Sequence, residues 1–156
     1  MSYVADTNIL LRSVQNTDPM HHETTQALAV LLGDGEVINI LAQNLYEFWV
    51  VATRPQPQNG LGMSVSEAEQ ELDRMKSFFN VLPDTPDIYK EWERLVVQYA
   101  VKGKNAHDAR VVAAMKVHGV SNLLTFNGRD FARYIPQEGI TAVAPPDINS
   151  AAQVLP

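Results

Sequence analysis

The chain has 156 residues, of which 46% are hydrophobic and 19% charged, and its net charge is −6. That length supports one globular domain with a real core, and the acidic balance argues against holding nucleic acid chiefly by electrostatic attraction. Cysteine is absent, which excludes disulfides, thiolate metal sites, iron–sulfur clusters and a cysteine nucleophile.

In chain order, Ser2 to Ala5 reads as a short buried strand and Asn8 to Val14 as a helix. A second helix covers His21 to Leu32, with Asp18-Pro19 as a start signal and Gly33 as a stop. Glu36 to Ile40 is rich in β-branched residues and reads as a second strand, followed by a helix over Gln43 to Thr53. Arg54 to Gly62 holds two prolines and two glycines and must be a loop. Ser64 to Phe78 restarts as a helix behind a serine cap, and Asn80 to Leu82 is a third strand. Thr85 to Ala100 and Asn105 to His118 are helical, the first with Ile88, Trp92, Leu95, Val96 and Tyr99 at spacings of three and four. Strands follow at Asn122 to Thr125 and Ile140 to Ala144, and Pro145-Pro146 reads as the start of a tail of little regularity.

Strands alternating with helices predict a three-layer α/β/α sandwich around a mostly parallel sheet of four to five strands. Residues 1–145 form its single domain, with 146–156 as an irregular tail. No apolar run approaches the ~20 residues of a membrane span. The amino terminus has neither the basic nor the apolar region of a signal peptide, so a cytoplasmic protein free of membrane is expected.

Such a sheet places ligands beyond the carboxyl ends of its strands. Asp6 ends the first strand, Glu47 lies early in the third helix, Asp108 opens a later helix, and Asp130 follows the fourth strand. Singly, Asp6 is a plausible helix cap, Asp108 a dipole partner and Asp130 a turn residue. Glu47 resists such a reading: among Leu45, Tyr46, Phe48, Trp49, Val50 and Val51 a carboxylate is costly to bury unless paired or metal-bound. Together, four carboxylates at one edge repel one another unless a hard cation lies between them, and Mg²⁺ or Mn²⁺ suits oxygen ligands.

Charge is also unevenly spread. Lys90 to Tyr134 holds eight Lys or Arg against four Asp or Glu, while the rest of the chain has four against fourteen. The histidines, His21, His22, His107 and His118, suggest no paired-histidine ribonuclease, since adjacent helix positions point apart. Around the carboxylates there is no Ser–His–Asp or Cys–His arrangement.

These motifs resemble those of the PIN domain family. Tyr3-Val-Ala-Asp-Thr-Asn-Ile-Leu-Leu-Arg12 is similar to its opening and Asn44-Leu-Tyr-Glu-Phe48 to its second motif. Asn105 to Ala114 resembles the third motif and Leu123 to Phe131 the fourth. Within the family, a compact single domain most resembles the VapC-type toxins of toxin–antitoxin pairs.

The resemblance implies a Mg²⁺- or Mn²⁺-dependent ribonuclease, with Asp6, Glu47, Asp108 and Asp130 as catalytic metal ligands. Asn127 falls in the same motif as Asp130 and suits a metal-held water or a phosphate. Thr7 and Thr125 match hydroxyls that orient a ligand or a water. Lys104 and Arg129, and less strongly Arg12, are expected to hold the RNA substrate. A homodimer and a separate protein antitoxin are the implied partners. The competing reading is a catalytically silent or RNA-processing scaffold of the same fold. A haloacid-dehalogenase phosphatase would need Asp-x-Asp where this chain has Asp6-Thr7-Asn8, and the further acids of a response-regulator receiver are missing.

Overall fold

The computed structural model describes residues 1–154. Five strands form one sheet: β1 (Ser2–Ala5), β2 (Val37–Leu41), β3 (Asn80–Leu82), β4 (Asn122–Leu124) and β5 (Thr141–Val143). Every pairing is parallel and the order is β3-β2-β1-β4-β5, so the first strand lies at the centre. The connecting helices are α1 (Thr7–Val14), α2 (His21–Gly33), α3 (Ala42–Thr53), α4 (Val65–Phe78), α5 (Pro86–Gln98), α6 (Asn105–His118), α7 (Ile135–Glu138) and α8 (Pro145–Val154). This is the expected three-layer α/β/α sandwich.

Side chains alternate across a strand, and the core divides accordingly. Tyr3, Ala5, Ile38, Ile40 and Leu124 pack with α1 to α4, whereas Val4, Leu41 and Leu123 pack with α5 and α6. Both faces are therefore covered, as a parallel sheet requires. The exception on these strands is Asn39, buried in β2. It donates to the Tyr3 carbonyl at 3.0 Å and accepts from Asn80 at 2.8 Å, so its amide is satisfied where water is absent. Residues Ala109 to Met115 of α6 are buried except Arg110, making that helix the apolar spine of its layer.

Two differences from the sequence reading have clear causes. The 146–156 tail is helical through Val154, with its last two residues outside the described ones. Proline stops a helix from within but suits its first turn, where no N–H partner is needed, and Pro145-Pro146 opens α8 in that way. Asn149 then ties α8 to the Glu23 carbonyl of α2 at 3.0 Å. The stretch after β4, unassigned from sequence, forms a 3₁₀ segment, Gly128–Tyr134, continuing into α7.

That segment is anchored by Glu138, whose buried carboxylate pairs with Arg94 of α5 at 2.7 Å and Lys116 of α6 at 3.2 Å. The Arg94 hydrogen bond first, then those of Tyr99 and Lys116, hold this carboxyl at about 2 against the opposing effect of burial. The anchor fixes the stretch that carries Asp130. Among the described residues no helix is long and apolar enough to cross a membrane.

Candidate active site

Each acidic side chain reaches the carboxyl edge of the sheet by a different route. Asp6 directly follows β1 and caps α1, its Oδ1 accepting from the Thr7 N–H at 2.8 Å. The third helix starts on the residue after β2, and Glu47 lies in its second turn. Asp108 stands in the first turn of α6, whose far end feeds β4, and Asp130 lies in the 3₁₀ segment after β4. A cleft of about 610 Å³ opens here, walled by Gln43, Tyr46, Glu47, Lys104, Asn105, His107, Asp108 and Asp130. Asp6 is not on that wall; it is 9% exposed, yet near enough for its charge to act on Asp108.

Neutral donors fix the carboxylates of Asp6 and Glu47. Thr125 donates to Asp6 Oδ2 at 2.8 Å, and Asn8 donates to the same oxygen at 3.2 Å. Thr7 donates to Glu47 Oε2 at 2.8 Å and Gln43 to Glu47 Oε1 at 2.8 Å. The hydroxyls have no choice of direction. Thr125 Oγ1 accepts from Asn8 at 3.1 Å and from the Asn127 N–H at 3.0 Å, which leaves its single proton for Asp6. Thr7 Oγ1 accepts from Asn44 at 3.2 Å and turns its proton to Glu47.

Electrostatics registers the convergence. Burial first, then the charges of Asp6, Asp130 and Glu47, push the Asp108 carboxyl up to about 6, with His107 acting weakly the other way. Burial also raises Asp6, assisted by Glu47 and Asp130 and opposed by Thr125 and Thr7. Asp6 and Asp108 thus each feel the charges of Glu47 and Asp130, and none of the four acids has a cation bonded to it among the described ion pairs.

Oxygen donors alone, with Asp6 and Asp108 raised by burial and by neighbouring acids, match the chemistry of a hard divalent ion. Among the described residues no three His, Asp or Glu side chains close on one point tightly enough to cage an ion. An open set fits Mg²⁺, which keeps several waters and takes few protein ligands.

The remaining sequence candidates separate in space. Lys104 is on the cleft wall, Arg129 is exposed beside Asp130, and Asn127 is exposed and contributes its backbone N–H to Thr125. Arg12 lies elsewhere: its guanidinium sits 4.4 Å from the centre of the Phe126 ring and 3.9 Å from Asp18, in a different hollow. Asn8, Gln43 and Asn44 were not singled out from the sequence as parts of the site. Their signal was faint: Gln43 and Asn44 are polar residues at the head of an apolar helix, one turn before Glu47.

The PIN domain family model matches residues 3–135 of this chain. No curated protein sequence matches it. Among solved structures, a chain of VapBC2 from Rickettsia felis, bound to a DNA fragment from its promoter, superposes with a TM-score of 0.64. The two are 17% identical, over 92% of this chain and 98% of that one. VapC20 of Mycobacterium tuberculosis, a toxin that cleaves the sarcin–ricin loop, gives 0.62 at 17% identity, over 84% and 94%. VapBC-1 of nontypeable Haemophilus influenzae gives 0.64 at 14% identity, over 94% and 99%. At such identities the likeness is one of fold.

The raised Asp108 makes a stability prediction. Its contribution is fully present below the unfolded value of 3.8 and is lost as pH rises through about 6. In chelator, Asp108→Asn should therefore melt at a higher temperature than wild type near neutral pH, the gap closing toward about pH 4. Thermal denaturation across that range measures it, and a variant no more stable at neutral pH contradicts the raised Asp108 carboxyl.

Proposed function

Because the chain belongs to the PIN domain family, we propose that it is a Mg²⁺- or Mn²⁺-dependent endoribonuclease and the toxin of a toxin–antitoxin pair. One observation carries the reading: four carboxylates from four separate segments gather at one sheet edge, Glu47, Asp108 and Asp130 on the wall of one cleft and Asp6 at the end of β1. Asp6, Glu47, Asp108 and Asp130 would hold the ion. When bound, it supplies an acidified water and offsets charge growing on the phosphoryl oxygens.

The protein's own contribution is orientation. Thr125 and Asn8 aim Asp6, and Thr7 and Gln43 aim Glu47, so little rearrangement is needed when a cation and a phosphate arrive. Lys104 on the cleft wall, and Arg129, exposed next to Asp130 in the chain, would hold the phosphates of an RNA strand. Attack by water at phosphorus breaks the bond to the 3′ oxygen, leaving a 5′-phosphate and a 3′-hydroxyl. The protein antitoxin is inferred from the toxin–antitoxin complexes that share the fold. A homodimer is inferred from α3, where Tyr46 and Val50 stand one turn apart and are 64% and 54% exposed.

Cleavage of RNA should require Mg²⁺ or Mn²⁺, stop in chelator, and fall by at least about 100-fold in Asp6→Asn, as loss of a charged ligand demands. Equal activity in that variant refutes the catalytic assignment, and a protein neither stabilised by divalent ions nor able to cut RNA is the silent scaffold. Replacing Lys104 and Arg129 together by Ala should weaken RNA binding and reduce the slope of log affinity against log salt by about 1.4, the value for two single-strand phosphate contacts. An unchanged slope removes both residues from the substrate path. Sedimentation velocity over a range of concentrations tests the dimer; a species that stays monomeric throughout excludes it.

A further inference from the structure

Gln43 is buried and belongs to none of the acidic motifs, yet its amide has three partners on two helices, Glu47 on α3 and His107 and Arg110 on α6. Its Nε2 donates to Glu47 at 2.8 Å and to the His107 carbonyl at 2.9 Å, one residue before Asp108. Its Oε1 accepts from Arg110 at 3.2 Å, and the other terminal nitrogen of Arg110 pairs with Asp84 at 2.9 Å. The chain Asp84–Arg110–Gln43–Glu47 alternates acceptor and donor throughout. Only one sense of the amide satisfies it. Rotated by half a turn, Gln43 would turn its oxygen on the Glu47 carboxylate and the His107 carbonyl, and its NH₂ on a guanidinium.

Arg110 therefore sets the direction of Gln43, and Gln43 sets two things at once. It fixes one Glu47 oxygen while Thr7 fixes the other, which prevents the carboxylate from rotating. It also ties α3 to the first turn of α6, and so sets the spacing between Glu47 and Asp108. Arg110 itself is occupied at both ends, and its charge is spent on this frame instead of on a phosphate.

We propose that Gln43, locked in one sense by Arg110, is a positioning residue that aims Glu47 and holds it at a fixed distance from Asp108 for a divalent cation. This rests on the metal-dependent reading above.

The test is Mn²⁺ titration of the purified full chain without RNA, followed by RNA cleavage across a Mg²⁺ series. The variants are Gln43→Leu, Arg110→Met, the two combined, and Asp6→Asn. Gln43→Leu should weaken Mn²⁺ binding by about tenfold and raise the Mg²⁺ needed for half-maximal cleavage to match, as loss of a partner behind a metal ligand does. Its KM for RNA at saturating metal should stay within about twofold of wild type, which a general loosening of the fold would not allow. Arg110→Met should act in the same direction, and the double variant should be no worse than Gln43→Leu, because Arg110 acts through Gln43.

Wild-type Mn²⁺ affinity in Gln43→Leu, or effects of the two single variants that multiply, overturns the proposal. Should Gln43→Leu fail to fold, Arg110→Met decides: weaker Mn²⁺ binding at unchanged KM supports the lock, and wild-type binding removes it. Where Asp6→Asn loses Mn²⁺ and activity while Gln43→Leu does not, only the positioning role falls. Where Asp6→Asn also behaves as wild type, the metal-dependent reading falls with it.

Discussion

Concentrated negative charge at the carboxyl edge of the sheet is the constraint from which the rest of this molecule is understood. Carboxylates in a half-buried cleft lose hydration and repel one another, and at Asp108 burial first, then the charges of Asp6, Asp130 and Glu47, raise the value to about 6. A fold can relieve such repulsion by inserting Lys or Arg, or preserve it by using neutral donors. This chain does the second. Every hydrogen bond to Asp6 and Glu47 comes from a hydroxyl, an amide or a backbone N–H. Neutral donors fix the direction of a carboxylate without cancelling its charge, so attraction for a cation is retained.

Topology makes the gathering possible. With β1 in the centre and β2 and β4 on its flanks, the residues following three adjacent strands emerge side by side. Asp6, the head of α3 and Thr125 all arise that way, and α6 brings Asp108 to the same edge because it must run back to start β4. The arrangement is stiffened from behind. Glu138 binds α5, α6 and α7 together, and Asn44 accepts from the Leu41 N–H at 2.9 Å while donating to Thr7. Polar groups buried next to the site are thereby used as struts, each with its hydrogen bonds met.

Much of this was legible in the sequence, for identifiable reasons. Strong periodicity in α5 and the β-branched run of β2 reflect burial directly, and both elements were read within one or two residues of their bounds. Glu47 stood out in the sequence as a charge amid Tyr46, Phe48, Trp49 and Val50. The structure leaves Tyr46 and Val50 exposed and Glu47 half-buried on the cleft wall, so the burial cost behind that reading is smaller than the sequence suggests. The helix at Pro145 was not legible, since the same Pro-Pro pair that breaks a helix interior also starts one. Nor were Gln43 and Asn44 as members of the site: a neutral amide near a helix start reads as a cap, and only coordinates show which distant atom it meets. Nor was the surrounding of Arg12 legible, because sequence proximity to Asp6 says nothing about the aromatic ring of Phe126 that receives it.

The proposal that an acidic protein acts on RNA needs an account of its charge, and the ion pairs provide one. Of the basic residues between Lys90 and Tyr134, Arg94 and Lys116 are taken by Glu138, Arg110 by Asp84 and Lys90 by Asp87. Among the described residues Lys102, Lys104, Arg129 and Arg133 form no ion pair, and these flank the segments that carry Asp108 and Asp130. At physiological ionic strength exposed charges are screened beyond roughly 8 Å. A phosphate at the cleft therefore responds to the nearby cations far more than to the net charge of −6. The total charge of the chain disfavours indiscriminate adhesion to nucleic acid, and the local pattern permits contact at one place, where the carboxylates stand.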